Sequence, residues 1–543
     1  MKGIKDFFSK KYNLPLISIL FVAFILRLIN LGYSDFQGDE IKALFLPDPG
    51  QNGFSFLMDQ RKGPLQFIVT FLLKFLDPIY TNQFLIRLPF AIAGFLSVYF
   101  FYKLVEQLIN SKVALFAAFF FATNGFFIAF SRIVQYQSLV ILFSVLALYF
   151  IVLANKEDRF KISGMYLAFV SWSLSVLAHY DGLFIFPVFF FYLFTWVKDE
   201  SLNIKLKVKI KHILLSGLLF TLLLAVFYIP FVFSISESTY EYWEGRLSGS
   251  VSSKLSSSVY LFTVYQPIYV IHIYTLLAIS GLFVLFARIK VKYLLHKNPK
   301  SKNIVRFLHT LDELFLASGY KKILWPVFLW FFVGIFVWEK IVYIPGTHIY
   351  TYLMPLFVFL GVGTSFIEKV AVSVSEKIKF IPLVTVKDIV LSIVLVFVAL
   401  QSYAIFVDNN VEYPWEPEKF YIWTFPKPTP IYHLSMFGFP YYRDWESIGD
   451  FIREHDEIPA YSTNERESIA RHHIKLTKDT NKAGFFVFIR NPQSFTNEIL
   501  SQKALYWANK YPPVYTLSRS GKDLVTVYLM PVGTLDELKE QGY

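Results

Sequence analysis

Two adjacent carboxylates, Asp39 and Glu40, follow a long apolar stretch that begins near Leu14. A carboxylate at such a place can act as a general base toward a hydroxyl or amine group. Lys62 follows in the same polar segment, and a lysine can hold a phosphate and stabilise the negative charge of a leaving group. The segment therefore combines the residue types that acid–base chemistry on a phosphate-bearing molecule requires.

Further candidate residues lie in later polar segments between apolar runs. They are carboxylates, cations and aromatic rings that packing against lipid does not require, and together they could line one cavity at a membrane boundary. The aromatic rings among them could stack on sugar rings. These candidates are Arg132 and Gln137 in the second segment, His179 and Asp181 in the third, Arg246 in the fourth, and His348, Tyr350 and Tyr352 in the fifth.

Each candidate also has an interpretation that involves no function. Asp39 and Glu40 could begin a helix or pair with Arg27. The cations could contact lipid headgroups, and the aromatic residues could belong to a belt at the membrane surface. His179 and Asp181 could form a hydrogen-bonded pair. As metal ligands these two lack a clear third partner, so no metal site is predicted from the sequence.

The composition indicates a membrane protein. Of its 543 residues, 55% are hydrophobic and 17% are charged, whereas soluble domains are about a quarter charged. The mean hydropathy of +0.47 points the same way. The net charge of +12 is then better explained by basic cytoplasmic loops than by nucleic-acid binding. The absence of cysteine excludes disulfides and a thiol nucleophile.

Apolar segments long enough to cross a membrane recur along the chain as far as Val407. The stretch 63–76 is short and contains Lys74, so it is predicted to lie in the interface without crossing. We predict about eleven spans, near 14–33, 87–108, 113–131, 137–155, 162–179, 182–197, 212–234, 264–287, 323–342, 349–367 and 388–407.

The distribution of basic residues predicts the orientation. They concentrate in alternate loops, and basic loops are retained in the cytoplasm. The N-terminus is therefore predicted to be cytoplasmic, and all the candidate residues are predicted to lie on the opposite side. The cytoplasmic loops would be 103–112, 156–161, 198–211, 288–322 and 368–387.

The composition becomes polar after Val407, which predicts a transmembrane domain at 1–408 and a small outer α/β domain at 409–543. In the latter, "RDWESIGDFIREH" and "SFTNEILSQKALYWANKY" are typical of helices, and "GFFVFIRN" of a buried strand. "PVYTLSRSGKDLVTVYLMP" predicts two strands around a turn. Residues 411–442, rich in Pro and Tyr, are predicted to pack against the membrane part.

Four segments in this order resemble a known family: "LRLINLGYSDFQGDE", "RKGPLQFIVTFLLKFL", "IRLPFAIAGFLSVYFFYKL" and "FFFATNGFFIAFSRIVQYQSL". They are similar to the polyprenyl-phosphate-sugar glycosyltransferases of GT-C type, which include protein O-mannosyltransferases and the aminoarabinose transferase acting on lipid A. The resemblance covers roughly residues 14–370. It implies an all-α polytopic membrane fold with interfacial helices, to which some members add an outer C-terminal domain.

The resemblance also implies roles for individual residues. Asp39 matches the acidic residue near the reaction centre, the expected general base, and Glu40 matches its usual neighbour. Lys62 matches the lysine of a Lys-Pro-Pro-Leu-like element near the donor phosphate, although Gly63 stands where proline is common. Arg132 matches the arginine of the second outer loop.

Later positions depart from the family or agree with it only in part. Gln137 stands where an acid is common, and Asp181 could supply the missing acid. His348, Tyr350 and Tyr352 match an element usually near the lipid phosphate. We thus predict a catalytic pair, a phosphate-binding set and a substrate-binding set. The catalytic pair is Asp39 and Glu40, the phosphate set is Lys62, Arg132, Arg246 and His348, and the substrate set is Gln137, His179, Asp181, Tyr350 and Tyr352.

The predicted function is inverting transfer of a sugar from a polyprenyl-phosphate donor to a lipid, glycan or protein acceptor outside the cytoplasm. Membrane lipids are the other expected partners, and no nucleic acid is expected. The resemblance leaves the cofactor open, because members of this class work with or without a divalent cation, here magnesium or manganese. The alternatives are a transporter, which would show repeated halves, and a non-catalytic scaffold that binds lipid-linked sugars.

Overall fold

The structure is a computed structural model of the 543-residue chain. It describes residues 13–248, 265, 268–286, 320–343, 346–375, 383–410, 418–420, 423–425, 437–455, 457–479, 484–493, 506 and 509–530. The predicted basic loop 288–322 lies almost wholly outside these residues, as does most of the helix predicted near 494–511.

Helices make up most of the described chain as far as Phe406. The first nine are α1 (Asn13–Leu28), α2 (Gly38–Ile41), α3 (Gly53–Met58), α4 (Leu65–Leu73), α5 (Gln83–Leu108), α6 (Ser111–Thr123), α7 (Gly125–Ser131), α8 (Gln137–Lys156) and α9 (Ser163–Ala178). A 3-10 segment, Tyr180–Ile185, then leads into α10 (Phe186–Lys198). There follow α11 (Leu206–Phe233), α12 (Glu237–Ser248), α13 (Ile268–Phe286), α14 (Tyr320–Phe336), α15 (Tyr350–Ser375) and α16 (Leu383–Phe406).

Each predicted span coincides with one of these helices or with a pair of them. Within the described residues, six helices are long and apolar enough to cross a membrane, or seven if the bent pair α6 and α7 is one span. Four shorter apolar helices lie in α1, α9, α13 and α16. The chain is therefore an integral membrane protein with a mostly helical fold, as predicted.

Helix α4 occupies the stretch that was predicted not to cross. It has nine residues, which corresponds to a length of about 14 Å against about 30 Å of hydrocarbon. Ile68, Phe71 and Leu72 of this helix are exposed. The length and the apolar exposure agree with a helix that lies along the membrane surface.

The break between α6 and α7 directs the chain toward the candidate residues. Asn124 ends α6, and its side-chain oxygen accepts a hydrogen bond from Phe127 N at the start of α7. A side chain of this type satisfies amide groups that a helix start leaves unpaired. The two helices are bent by 61°. The segment after α7 contacts the end of α1 through Arg132 and α2 through Val134 and Gln135.

The described part of the C-terminal region is an α/β unit with a five-stranded sheet in the order β4-β3-β5-β7-β6. Strand β3 is parallel to β4 and β5, whereas β7 is antiparallel to β5 and β6. The strands are β3 (Ala460–Thr463), β4 (Thr477–Lys478), β5 (Gly484–Ile489), β6 (Tyr515–Arg519) and β7 (Lys522–Met530), preceded by the small pair β1 (Glu418–Phe420) and β2 (Trp423–Phe425). The helices are α17 (Trp445–Arg453) and α18 (Glu467–His473).

Three C-terminal sequence predictions are confirmed in this unit. The amphipathic helix is α17, and the buried strand is β5. The two strands around a turn are β6 and β7, joined through Ser520 and Gly521, which both have positive φ. Such a turn matches the twist of a two-stranded hairpin. The boundary between 408 and 409 stays a prediction.

Residues 437–443 connect this unit to the membrane helices. Asp35 N donates a hydrogen bond of 3.0 Å to Tyr441 O, and Arg443 N donates to Asp35 Oδ2. Gly438 has φ +74°, and a Cβ there would overlap the carbonyl oxygen of Ala129, so only glycine fits. Burial raises the pKa of Asp35 to about 6. The described part of the predicted packing segment therefore does lie against the membrane part.

Candidate active site

The acidic turn is a short helix whose start is closed by its own side chains. Gln37 is the N-cap of α2, and its side-chain oxygen accepts a hydrogen bond of 2.6 Å from Asp39 N. In return, Glu40 Oε2 accepts a hydrogen bond of 2.9 Å from Gln37 N. This reciprocal capping box fixes the turn. The two neighbouring carboxylates consequently point to different environments.

Glu40 is buried in an ion pair with Arg87 of α5. The Arg87 guanidinium donates two hydrogen bonds of 2.8 Å, one to each carboxylate oxygen. Val134 N donates a third hydrogen bond, of 3.0 Å, to Oε1. The sequence interpretation had named Arg27 as a partner for the acidic pair, and the observed partner is Arg87. Both oxygens of Glu40 are thus occupied, which suits a structural anchor.

Asp39, in contrast, remains accessible. Its side chain is 34% exposed, and its Oδ1 atom lies 3.0 Å from Arg466 Nη2. Arg466 immediately precedes α18 in the C-terminal unit. Nothing in the sequence around Arg466 indicated this contact, because the pair is far apart along the chain.

Lys62 lies on the other side of the acidic turn. Its Nζ atom donates a hydrogen bond of 3.1 Å to Gln135 Oε1, and Gln135 Nε2 donates one of 2.6 Å to the Asp39 carbonyl. Nζ also lies 5.1 Å from the centre of the Tyr136 ring. Burial lowers the pKa of the Lys62 ammonium to about 8, while the Asp39 carboxylate acts in the opposite direction.

Gly63 explains a departure from the family pattern. A Cβ at this position would overlap the carbonyl oxygen of Leu177 at the end of α9. Neither proline nor any other residue with a Cβ fits this close approach without movement. The loop that carries Lys62 is therefore held against the end of α9 by close packing, and the usual proline is not needed to shape it.

Beyond Lys62 lies a stack of flat side chains. Tyr136 stacks on His179 with ring centres 4.2 Å apart, and Trp338 stacks on His348 at 4.3 Å. The two imidazole rings lie 5.1 Å from each other. The stack thus bridges the second, third and fifth predicted outer segments.

Asp181 lies between the two histidines and is buried. Its Oδ2 atom is 2.6 Å from His348 Nδ1 and accepts a hydrogen bond of 2.5 Å from the Tyr350 hydroxyl. Its Oδ1 atom is 3.1 Å from His179 Nδ1. Among the residues that the structure describes, His179, Asp181 and His348 form a group that could hold a metal ion.

An apolar cavity of about 590 Å³ opens on the far side of this stack. Among the described residues that line it, Arg246 is the charged one. Arg246 Nη1 donates a hydrogen bond of 2.8 Å to the Tyr242 hydroxyl. The remaining lining is mostly apolar and includes Tyr180, Leu183, Phe184, Phe186, Trp243, Leu247, Val333, Val337, Trp338 and Val342. Such a cavity suits a hydrocarbon chain with an anionic end.

Three predicted site residues have hydrogen-bond partners outside the ring stack. Arg132 donates hydrogen bonds of 3.1, 2.9 and 3.1 Å to the carbonyls of Leu26, Ile29 and Asn30. The Tyr352 hydroxyl donates a hydrogen bond of 2.9 Å to Glu339 Oε1. Gln137 begins α8 and donates a hydrogen bond of 3.4 Å to Thr347. Arg132 therefore secures the end of α1.

The structure also adds residues that the sequence interpretation did not name as candidates. Gln135 and Tyr136 lie inside the quoted stretch "SRIVQYQ", where their polar and aromatic character was visible but their partners were not. Trp338 lies within a predicted span. Together they connect Asp39 to the apolar cavity through contacts among the described residues.

Comparison with solved structures finds similar chains at low identity. ArnT from Cupriavidus metallidurans bound to undecaprenyl phosphate is 11% identical, with 95% of this chain and 97% of that chain covered and a TM-score of 0.46. An oligosaccharyltransferase from Archaeoglobus fulgidus, in complex with an inhibitory peptide and a dolichol-phosphate, is 13% identical, with 96% and 74% covered and a TM-score of 0.45. The S. cerevisiae protein O-mannosyltransferase complex bound to its sugar donor is 16% identical, with 45% and 37% covered and a TM-score of 0.31.

Comparison with protein sequences gives one family. No curated protein matches the chain significantly. The family model described as dolichyl-phosphate-mannose-protein mannosyltransferase matches residues 65–231. That segment contains Arg132, Gln137, His179 and Asp181 and begins just after Lys62. The predicted resemblance is thereby confirmed for this part of the chain: residues 65–231 match the dolichyl-phosphate-mannose-protein mannosyltransferase family.

Proposed function

We propose that this protein is a glycosyltransferase that moves a sugar from a polyprenyl-phosphate donor to an acceptor outside the cytoplasm. The observation that carries the proposal is a continuous run of contacts among described residues. It begins at Asp39, whose carboxylate is accessible and whose backbone carbonyl accepts a hydrogen bond from Gln135. It passes Lys62 and continues through the stacked rings to an apolar cavity lined by Arg246. A base, two cations and an apolar cavity are the parts that a lipid-linked phosphate sugar requires.

The proposed reaction is a single displacement. An acceptor hydroxyl loses its proton to Asp39 as its oxygen bonds to the anomeric carbon. The bond between that carbon and the phosphate oxygen breaks on the opposite face, and the electron pair leaves with the lipid phosphate. The configuration at the anomeric carbon is therefore inverted.

We assign the departing phosphate to Lys62 and Arg246. Lys62 carries its ammonium beside the Asp39 loop, and Arg246 lines the apolar cavity. Cations positioned where negative charge develops lower the barrier of such a step. The lipid chain would occupy the cavity of about 590 Å³, whose apolar wall offers it the environment that it has in the membrane.

Glu40 and Arg132, which the sequence placed in chemistry, are better described as positioning residues. Both carboxylate oxygens of Glu40 accept hydrogen bonds, from Arg87, Gln37 and Val134. The terminal nitrogens of Arg132 donate hydrogen bonds to backbone carbonyls at the end of α1. Their contacts hold the acidic turn against the membrane helices, and so they act on the reaction through Asp39.

We propose that residues of the substrate-binding set, with His348 of the phosphate set, form a wall between Lys62 and the cavity. His179 and His348 lie in the ring stack, and the Tyr350 hydroxyl donates to Asp181. We propose that this wall contacts the donor sugar or phosphate. Gln137 and Tyr352 border it through Thr347 and Glu339.

A magnesium or manganese ion does not fit the acidic turn as the side chains stand. Magnesium prefers several oxygen ligands, but both Glu40 oxygens accept hydrogen bonds from Arg87, and Asp39 Oδ1 is paired with Arg466. The turn therefore leaves too few carboxylate oxygens for such an ion. Gln137, where the family commonly has an acid, offers one neutral oxygen. No step of the proposed reaction is therefore assigned to a cation at this turn.

The orientation belongs to the same proposal. Along the chain, the basic loops alternate with the loops that carry Asp39 and the other site residues. Because basic loops are retained in the cytoplasm, this alternation favours a cytoplasmic N-terminus and a C-terminal unit outside. Lipid-linked sugars presented at the outer surface would then reach Lys62 and Arg246.

The test is a transfer assay on the purified chain in detergent. A panel of polyprenyl-phosphate sugars, with mannose first because of the family description, is incubated with the protein, and free polyprenyl phosphate is measured by mass spectrometry. Release with one donor, abolished by Asp39→Asn, supports the proposal. Binding of a donor without release favours a scaffold, and solute uptake into sealed vesicles favours a transporter.

A further inference from the structure

His179, Asp181 and His348 reach one another from two separate parts of the chain. His179 ends α9, and Asp181 follows in the 3-10 segment. His348 lies just before α15. One ligand-type atom from each lies within 4.8 Å of the others, and all three residues are buried. The third ligand that the sequence could not provide is therefore present in the folded chain.

The carboxylate between the histidines has an oxygen with unsatisfied hydrogen-bonding capacity. Asp181 Oδ1 is buried and has no hydrogen-bond partner among the described residues. Its neighbour at 3.1 Å is His179 Nδ1, which itself accepts a hydrogen bond of 3.3 Å from Asp181 N. The approach of Nδ1 to Oδ1 requires either a proton on Nδ1 or a cation held by both atoms. A metal ion bound by both atoms would satisfy this carboxylate oxygen.

We propose that His179, Asp181 and His348 bind one divalent transition-metal ion, with zinc as the best match. Two imidazoles and one carboxylate are a known zinc ligand set, completed by a fourth ligand. Imidazole ligands suit zinc, copper, iron and nickel, whereas magnesium prefers oxygen alone. The site uses no residue of the acidic turn and neither of the cations, Lys62 and Arg246, that are assigned to the phosphate. Its residues belong to the wall proposed to contact the donor.

The surroundings prepare these ligands. The Tyr136 ring lies on His179 at 10° between planes, and Trp338 lies on His348 at 8°. The Tyr350 hydroxyl donates a hydrogen bond of 2.5 Å to Asp181 Oδ2. Ligands whose orientation is fixed by neighbours bind metal more tightly. The metal would join the 179–181 segment to the segment before α15, and so it would stabilise the folded state.

The experiment measures metal content, which does not depend on the transfer reaction. The 543-residue chain is purified without a histidine tag, and bound metal is removed with a chelator. The protein is then incubated with zinc, and unbound zinc is removed. Elemental analysis is expected to give about one zinc per chain. X-ray absorption at the zinc edge is expected to show nitrogen and oxygen ligands near 2.0–2.2 Å, including two imidazoles.

Variants identify the ligands. Asp181→Asn and His348→Gln are expected to lose most of the bound zinc. His212→Gln, at a histidine bonded to Tyr166 elsewhere in the chain, is expected to retain it. Zinc is also expected to raise the unfolding temperature of the wild-type chain and not of Asp181→Asn.

Two results overturn the proposal. One is a wild-type chain that holds well under one zinc, cobalt or nickel ion after loading. The other is bound zinc without imidazole in the absorption spectrum, a measurement that needs no variant and so stands even if a variant fails to fold. A chain that binds zinc but transfers no sugar would support this site while contradicting the proposed function.

Discussion

Arg466 of the C-terminal unit holds the Asp39 carboxylate of the first loop, with Nη2 3.0 Å from Oδ1. Arg466 side-chain atoms also lie against Gly38, where an added Cβ would press on them and on Ser468. The C-terminal unit is thus part of the surroundings of the proposed base. An accessible ion pair contributes only about 0–1 kcal/mol to stability, so its importance would lie in orienting Asp39.

Replacing Arg466 tests this contact. Arg466→Ala is expected to reduce the transfer rate by less than about fivefold, because an accessible ion pair contributes at most about 1 kcal/mol. Arg466→Lys is expected to recover part of the loss. Initial rates with saturating donor measure the effect. Arg471→Ala changes an exposed arginine of α18 and is the matched control. A loss as large as that of Asp39→Asn would mean that Arg466 contacts the reacting groups.

Asp39→Asn is expected to lower transfer by about 10²–10⁴-fold, the usual contribution of a general base. Donor affinity should remain, because the phosphate cations and the cavity are untouched. Rate and donor binding are measured on the same preparation. Asp48→Asn, at an exposed carboxylate of the same loop, should leave both unchanged. Near-normal transfer by a folded Asp39→Asn enzyme would remove Asp39 from the mechanism.

Lys62 predicts a pH dependence. Its pKa is lowered from 10.5 to about 8 by burial, so the free enzyme loses this positive charge as pH rises through about 8. Because the charged ammonium of Lys62 is proposed to bind the donor phosphate, kcat/KM for the donor should be independent of pH near pH 7 and should decrease above pH 8.

Lys62→Arg provides the control for that profile. A guanidinium stays charged over this range, so the fall in kcat/KM above pH 8 should disappear even if the overall rate is lower. An unchanged alkaline limb in Lys62→Arg would assign the titration to another group.

The buried pair Glu40–Arg87 predicts a stability effect. Glu40→Gln removes the charge partner of a buried guanidinium, which typically costs about 3–5 kcal/mol. The unfolding temperature in detergent should fall accordingly. Glu106→Gln breaks the partly exposed pair with Lys103, where about 0.2–1 kcal/mol is expected. Equal shifts for the two variants would contradict the anchoring role of Glu40.

The apolar cavity predicts a steric effect on donor binding. Val333→Trp, at a residue that lines the cavity, should weaken polyprenyl-phosphate binding at least about tenfold, or about 1.4 kcal/mol. Leu329→Trp places the same ring on the exposed side of the same helix and should have no effect. Equal affinity for the two variants would mean that the lipid chain lies elsewhere.

Much of the fold followed from local pattern. Runs of about 20 apolar residues predicted the membrane helices because a helix must bury its backbone polar groups within the bilayer. Alternation and turn residues predicted β5 and the hairpin of β6 and β7 for similarly local reasons. Among the described residues, six or seven of the predicted spans are long and apolar enough to cross a membrane, and the other four coincide with the shorter described apolar helices in α1, α9, α13 and α16.

Candidate residues were found by type, but their partners were not. The alternative without function paired the acidic residues with Arg27, whereas the observed partner of Glu40 is Arg87. His179 and Asp181 lacked a third ligand until His348 came beside them. Arg132 was predicted to bind phosphate, and nothing in the sequence indicated that it donates to the backbone carbonyls of Leu26, Ile29 and Asn30. Each of these pairings depends on how helices pack, which residue type and local spacing do not specify.

The sequence alone determined the membrane class, the positions of the apolar helices, the α/β character of the C-terminal region and the presence of an acidic turn beside basic and aromatic loops. These depend on hydropathy and local periodicity. Tertiary structure decided that Asp39 is accessible while Glu40 is buried, that Arg466 reaches Asp39, and that two histidines enclose Asp181. The reason is physical: burial and charge pairing arise between segments distant along the chain, and only their packing brings them together.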